Sequence, residues 1–289
     1  MRFSMTYKNV YYGSLFLANL VKYSFSKITV PFFEVWVGQS CSMRCKECCH
    51  LIPYVKPQLY NIDRVISDCR KMLEICNIPY FSILGGEPFF HRELYKLLLF
   101  VGRRKDIPDG KIVTNGTIIP DKKTTAALKR LNGKLIVSID IYPGREEKCK
   151  KFIQHLEDNN IKYRVNHYQD WKWKHTGDNN QKKMPMKPSQ FIFSSCWVKS
   201  CYTLCNGEFT TCPRGITSFA VFQVKKHKFE NIVISKYQNR RILKAMIATA
   251  MDQHLYKEYC RYCLGISDLN PYDITPGVQL GDDIHARKH

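Results

Sequence analysis

Cys41-Ser42-Met43-Arg44-Cys45-Lys46-Glu47-Cys48, just beyond the apolar run Pro31 to Val37, is the stretch from which the rest of the chain is read. Three thiols at spacings of three and two intervening residues can converge from a short loop on one soft metal centre. Three ligands leave one iron of a cubane cluster open, and an open iron is a place for chemistry. Such loops also occur in ferredoxin and zinc sites completed by a distant fourth ligand, so the triplet by itself says metal and no more.

Working outward, Phe32 to Val37 alternates bulky apolar residues as a short strand that ends at Gly38 and delivers the cysteine loop. From Asn61 to Cys76 the apolar residues Ile62, Val65, Ile66, Cys69, Leu73 and Cys76 recur at helical spacing, which makes Cys69 and Cys76 core residues. Tyr80 to Leu84 reads as a strand ending in Gly85-Gly86, where the backbone can approach a ligand closely. Helix His91 to Arg103, strand Lys111 to Thr114 and the turn Asn115-Gly116 follow. Next come helix Lys122 to Leu131, strand Lys134 to Ile139 before Asp140, helix Arg145 to Asn159 and strand Ile161 to Asn166. Strand then helix, repeated about five times, predicts a parallel sheet with its active site beyond the C-terminal strand ends.

Cys-x3-Cys-x2-Cys after one strand and Gly85-Gly86-Glu87-Pro88 after the next resemble the radical S-adenosylmethionine (radical SAM) enzymes. The resemblance implies an α/β fold, a partial (β/α)6 barrel open on one side, with a small C-terminal auxiliary-cluster domain. It implies that Cys41, Cys45 and Cys48 hold a [4Fe-4S] cluster whose fourth iron chelates S-adenosyl-L-methionine, which is cleaved to a 5′-deoxyadenosyl radical. In the family the Gly85 to Pro88 motif contacts the methionine amino group, with Glu87 an acceptor for an ammonium. Thr114, Asn115, Ser138 and Asp140, at the next two strand ends, would meet ribose, methionine carboxylate or substrate, although turns favour the same residues. The aromatic residue usual before the third Cys is Glu47 here, which leaves the adenine contact open. Cys49 and His50 are expected to pack around the site without ligating.

The polar stretch Gln169 to Ser189, with Trp171 and Trp173, reads as a linker or substrate-side loop. Beyond it, Asn206-Gly207 signals a hairpin with Cys201 opposite Cys212. Gly207-x4-Cys212, with Cys196 before it and Cys260-x2-Cys263 after it, resembles the twitch domain, the short form of the SPASM appendage of radical SAM enzymes. That implies one auxiliary [4Fe-4S] cluster on Cys196, Cys212, Cys260 and Cys263, with Cys201 as a substitute for Cys196. A zinc ribbon is the rival assignment. Cys205 is left as a core thiol or a hydrogen-atom donor. The resulting division is an extension over 1–30, a barrel over 31–168, a linker over 169–190 and the auxiliary domain over 191–289.

A chain of 289 residues can bury a sizeable core, and a net charge of +20 suits anionic partners as well as a plain basic surface. No basic stripe interleaved with aromatics appears, so nucleic acid is not an expected partner. Thirteen cysteines, an odd number in two metal-like groups, fit a reducing cytoplasm better than a disulfide framework. Tyr11 to Val21 is apolar but short for a membrane span, holds Asn19 and is followed by Lys22, and is expected to pack on the barrel as a helix. Together with Cys49-His50-Leu-Ile-Pro53 and Cys212-Pro213-Arg214, the pattern is similar to radical SAM proteins linked to glycan biosynthesis. The expected activity is oxidation of a small polar, sugar-like or phosphorylated substrate, the auxiliary cluster taking the electron. An external one-electron reductant such as flavodoxin or ferredoxin would supply the first electron. Alternatives are a peptide maturase, a redox-neutral epimerase or lyase, and a metal-containing nucleic-acid-binding module.

Overall fold

The computed structural model describes residues 5–131, 133–168 and 172–281, so Trp171 lies outside the described residues. After helix α1 (Met5–Lys22), strands β1 (Phe33–Trp36), β2 (Tyr80–Leu84), β3 (Asp109–Thr114), β4 (Leu135–Ile141) and β5 (Tyr163–His167) alternate with helices α2 (Ile62–Ile75), α3 (Leu94–Gly102), α4 (Lys122–Arg130) and α5 (Glu146–Asp158). The five strands are parallel and in sequence order, as the alternation predicts. Sequence chemistry fixes the helix starts: the Asn61 side chain accepts from Arg64 N–H at 2.9 Å, and that of Asp121 from Thr124 N–H at 2.7 Å.

The period-two alternation of a strand sorts the two faces of the sheet. Phe33, Val35, Phe81, Ile83, Ile112, Val137 and Ile139 join the apolar core. Glu34, Ser82, Leu84, Lys111, Val113 and Asp140 line a cavity on the other face. Two shifts of the expected boundaries bear on the site. Asp140 lies within β4 rather than after it, and the helix expected from His91 begins at Leu94. His91 is instead buried, its Nε2 at 2.7 Å from Tyr60 O.

The C-terminal part is joined to the barrel sheet. Strand β6 (Tyr202–Cys205) pairs in parallel with β1, Phe33 facing Tyr202 and Trp36 facing Cys205, and β7 (Glu208–Thr210) and β8 (Ile232–Val233) continue the sheet antiparallel. The sheet order is therefore β8-β7-β6-β1-β2-β3-β4-β5. Asn206 and Gly207 turn the hairpin with φ of 48° and 80°, the positive pair that a tight two-residue turn requires. The β6–β7 register, Thr203 facing Thr210, carried two residues outward sets Cys201 opposite Cys212 as the sequence predicts.

Within the expected linker, Trp173–Lys174 pairs with Asp273–Ile274, and α6 (Met186–Ser195) starts before the linker's expected end. Helices α7 (Pro213–Val221) and α8 (Arg240–Ala250) complete the chain's larger elements. The N-terminal helix α1 packs on α8 rather than on the barrel helices. Asn19 Nδ2 donates to Thr249 Oγ1 and Tyr11 OH to Asp252 Oδ1, while Val10, Leu17 and Val21 stay exposed.

Candidate active site

Two backbone segments meet where the cysteine loop begins. Gly86 N–H donates to Gly38 O at 3.1 Å and Glu87 N–H to Ser40 O at 2.8 Å. A Cβ on Gly85 would lie 2.3 Å from Gly38 O, and one on Gly86 2.2 Å from Ser40 O. The glycines thus let the end of β2 dock against the segment that carries Cys41, a close approach between two parts of the protein itself.

The three thiols of this loop line the cavity, and burial pushes each of them up to about 12. Their sulfurs nonetheless accept N–H groups. Cys41 Sγ faces Met43 N–H at 3.4 Å and Asn115 Nδ2 at 3.6 Å, and Cys45 Sγ faces Gln279 Nε2 at 3.5 Å. Soft donors, buried together and already receiving N–H bonds, fit an iron–sulfur cluster, whose positive irons offset the cost of the thiolates. Gln279 also accepts from Arg44 N–H, and Lys46 N–H and Leu280 N–H pair with Val278 O and Arg44 O, so the tail folds over the cysteine loop. No sequence signal marks Gln279.

Of the residues expected to meet S-adenosylmethionine, Gly85, Gly86, Thr114, Asn115 and Asp140 line the cavity. Glu87 corrects the expectation for its side chain. Its carboxylate is buried and accepts from Phe89 N–H at 3.1 Å, Thr114 Oγ1 at 2.8 Å and Asn115 N–H at 2.9 Å. These bonds tie β2 to the β3 turn, while Gly85 and Gly86 line the cavity. Burial outweighs those bonds and raises its pKa to about 7. Pro88 opens a short 3₁₀ turn, Pro88–Phe90, and is buried. Ser138 is also turned inward, its hydroxyl accepting from Arg164 Nε and Asn166 Nδ2. Asp140 accepts from Asn166 Nδ2 at 2.8 Å, and burial lifts its pKa above the usual carboxylate range. Glu47 Oε1 lies 3.2 Å from His175 Nε2.

The C-terminal cysteines 196, 201, 212, 260 and 263 line the same cavity. Burial holds the Cys212 thiol well above its ordinary value, reinforced by Cys196, Cys260, Cys263 and Cys201 around it. Cys212 caps α7, Cys260 sits in a 3₁₀ turn, Glu258–Tyr262, and Cys263 Sγ accepts Gly265 N–H at 3.3 Å. Among the described residues no group of three or more His, Cys, Asp or Glu side chains is drawn to the spacing that a single ion needs. Cys205 lies in the core and donates to Tyr60 OH at 3.2 Å.

Arg214, unmarked beyond its place after Cys212-Pro213, bridges the two cysteine regions. Its terminal nitrogens donate to Cys49 O, Thr176 Oγ1, Gly177 O and Tyr262 O. His50 packs on Trp36 at 5.1 Å, and burial keeps its pKa below the usual imidazole range. Cys49 and His50 also line the cavity. The cavity between these walls has a volume of about 400 Å³, within the size range of small-molecule sites.

No family model matches the chain. Over 112 residues, 36% of this chain, it is 24% identical to the GTP 3′,8-cyclase of Campylobacter lari. That match spans about a third (34%) of the relative's length. The chain superposes on BtrN in complex with AdoMet and 2-DOIA with a TM-score of 0.52 at 17% identity, covering 86% of this chain and all of that one. On anSMEcpe with bound AdoMet and the Kp18Cys peptide the TM-score is 0.51 at 12% identity, covering 90% and 95%. At such identities the likeness speaks for the fold alone, a mixed α/β partial barrel with a central sheet. Among the described residues no helix is long and apolar enough to cross a membrane.

Proposed function

We propose that this chain is a radical SAM enzyme that oxidises a small polar, sugar-like or phosphorylated substrate. The observation that carries the reading is the single cavity lined by the triplet Cys41, Cys45 and Cys48, by the strand-end residues and by the C-terminal cysteines. With a [4Fe-4S] cluster on the triplet, bound S-adenosylmethionine would supply a 5′-deoxyadenosyl radical able to take a hydrogen atom from an unactivated C–H bond. The protein's task is then to position and to exclude water. Gly85 and Gly86 offer backbone, Thr114 and Asn115 offer polar groups beside Cys41, and the tail around Gln279 covers the loop from outside.

In this reading Cys212, Cys260, Cys263 and either Cys196 or Cys201 hold an auxiliary [4Fe-4S] cluster, which would receive the electron left on the substrate. Residues 31–168 and 191–289 are the two functional units, and a flavodoxin or ferredoxin is the external reductant. The test is iron and sulfide content after anaerobic reconstitution, wild type beside a Cys41→Ala, Cys45→Ala, Cys48→Ala triple variant. Two clusters in the wild type and one in the variant are expected, with 5′-deoxyadenosine released by the wild type alone. One cluster in the wild type and no iron in the variant would remove the electron-export step.

A further inference from the structure

The floor of the cavity carries polar groups that the chemistry above does not use. Glu34 of β1, Ser82 of β2 and Lys111 of β3 are register partners, so they stand side by side at one level of the sheet, and all three line the cavity. Lys111 precedes Thr114 by three residues, about 10 Å down the strand from the turn beside Cys41. Ser82 is fully buried and its hydroxyl has no hydrogen-bond partner in the protein. The Lys111 ammonium lies over the Phe32 ring at 5.5 Å and, among the described residues, makes no hydrogen bond or close ion pair, Asp140 and Glu34 acting on it only at longer range. Glu34 is occupied on one oxygen by Trp36 Nε1 at 2.9 Å and Thr203 Oγ1 at 3.2 Å.

Native interiors leave few polar groups unpaired, and an uncompensated charge is the most costly of them. Two idle donors side by side on a cavity floor form an acceptor-binding site. Burial and Arg164 disfavour the Lys111 charge while Asp140 and Glu34 favour it, so Arg164 adds a second positive group to a floor that also carries two carboxylates. Burial holds Glu34 above the usual carboxylate range, which lessens its opposition to an anion. We propose that Lys111 and Ser82 bind an oxyanion of the substrate, a phosphate or a carboxylate, and so make anionic substrates the class this cavity accepts. What then happens to the substrate rests on the radical-enzyme reading; the anion site rests on the floor alone.

The test uses the anaerobically reconstituted holoprotein, with melting followed in inorganic phosphate or acetate against chloride of equal ionic strength. For the wild type, phosphate, acetate or both raise the melting temperature above the chloride control. A response to phosphate alone marks a phosphorylated substrate, and one to acetate a carboxylate. Lys111→Met is expected to lose the anion-induced rise. Lys111→Arg keeps the rise and Ser82→Ala weakens it. The proposal is overturned if neither anion shifts the wild type beyond chloride, or if Lys111→Met keeps the shift. It is also overturned if Lys111→Met loses the shift given by S-adenosylmethionine itself, for Lys111 would then hold that carboxylate. Failure of the wild type to release 5′-deoxyadenosine would sink the radical reading and leave the anion result standing.

Discussion

Glu87 shows what a motif tells and what it hides. Gly85-Gly86-Glu87-Pro88 places a turn at a strand end, and that was legible; the direction of the carboxylate depends on Thr114 and Asn115, which only the folded sheet brings to it. Glu87→Gln would set an amide donor against the Asn115 or Phe89 N–H and should destabilise the protein by about 1–3 kcal/mol in chemical denaturation. The titration has a sign. With the folded pKa raised from 4.5 to about 7, the folded protein holds a proton that the unfolded chain has lost, so this group's contribution falls as pH rises through that window. Glu87→Gln abolishes that slope, and its cost should be larger at pH 5 than at pH 8. Gln279, Lys111 and Ser82 carry no pattern at all, because each acquires its meaning from a neighbour far away in sequence.

Among the elements, the strands and helices of the barrel were legible because apolar periodicity and caps are local. Helix α6 was not, since Pro188 and a polar lead-in resemble a loop although Pro in a first turn costs a helix little. Helix α1 was legible as a helix but not in its docking, which rests on a buried ion cluster. Lys8 Nζ donates to Glu230 and to Glu258, each at 2.9 Å, and Glu258 opens the turn that holds Cys260. Burial opposes the Lys8 charge, but the two carboxylates outweigh it and hold its pKa above the ordinary value. Lys8→Ala removes the ammonium both buried carboxylates share, leaving Glu258 only Arg261 at 3.7 Å, and should cost about 3–5 kcal/mol. Denaturant titration measures the loss, and a drop of less than 1 kcal/mol would show that α1 is dispensable to that turn.

For the molecule as a whole, the five-strand alternation foretold a parallel sheet, but nothing local foretold β6 beside β1. Parallel partners so far apart share no turn and no joint motif, only the apolar faces of Phe33, Val35, Tyr202 and Leu204. The expectation of an appendage led away from a shared sheet. It follows that residues 1–190 expressed alone expose one whole edge of β1, an unguarded apolar strand. That fragment should be recovered as aggregate, with soluble protein restored by co-expressing 191–289. A soluble monomeric fragment with its triplet cluster would contradict this.

The same pairing gives the chain a timetable. On the ribosome β1 emerges early and its second partner late, so the contact that completes the sheet is among the most distant in sequence, and such contacts close slowly. The stretch from Gly277 to Leu280 that folds over Arg44, Cys45 and Lys46 is made later still. The cysteine loop therefore stands open until these later segments are made, which sets an interval in which a cellular iron–sulfur donor would reach it unobstructed.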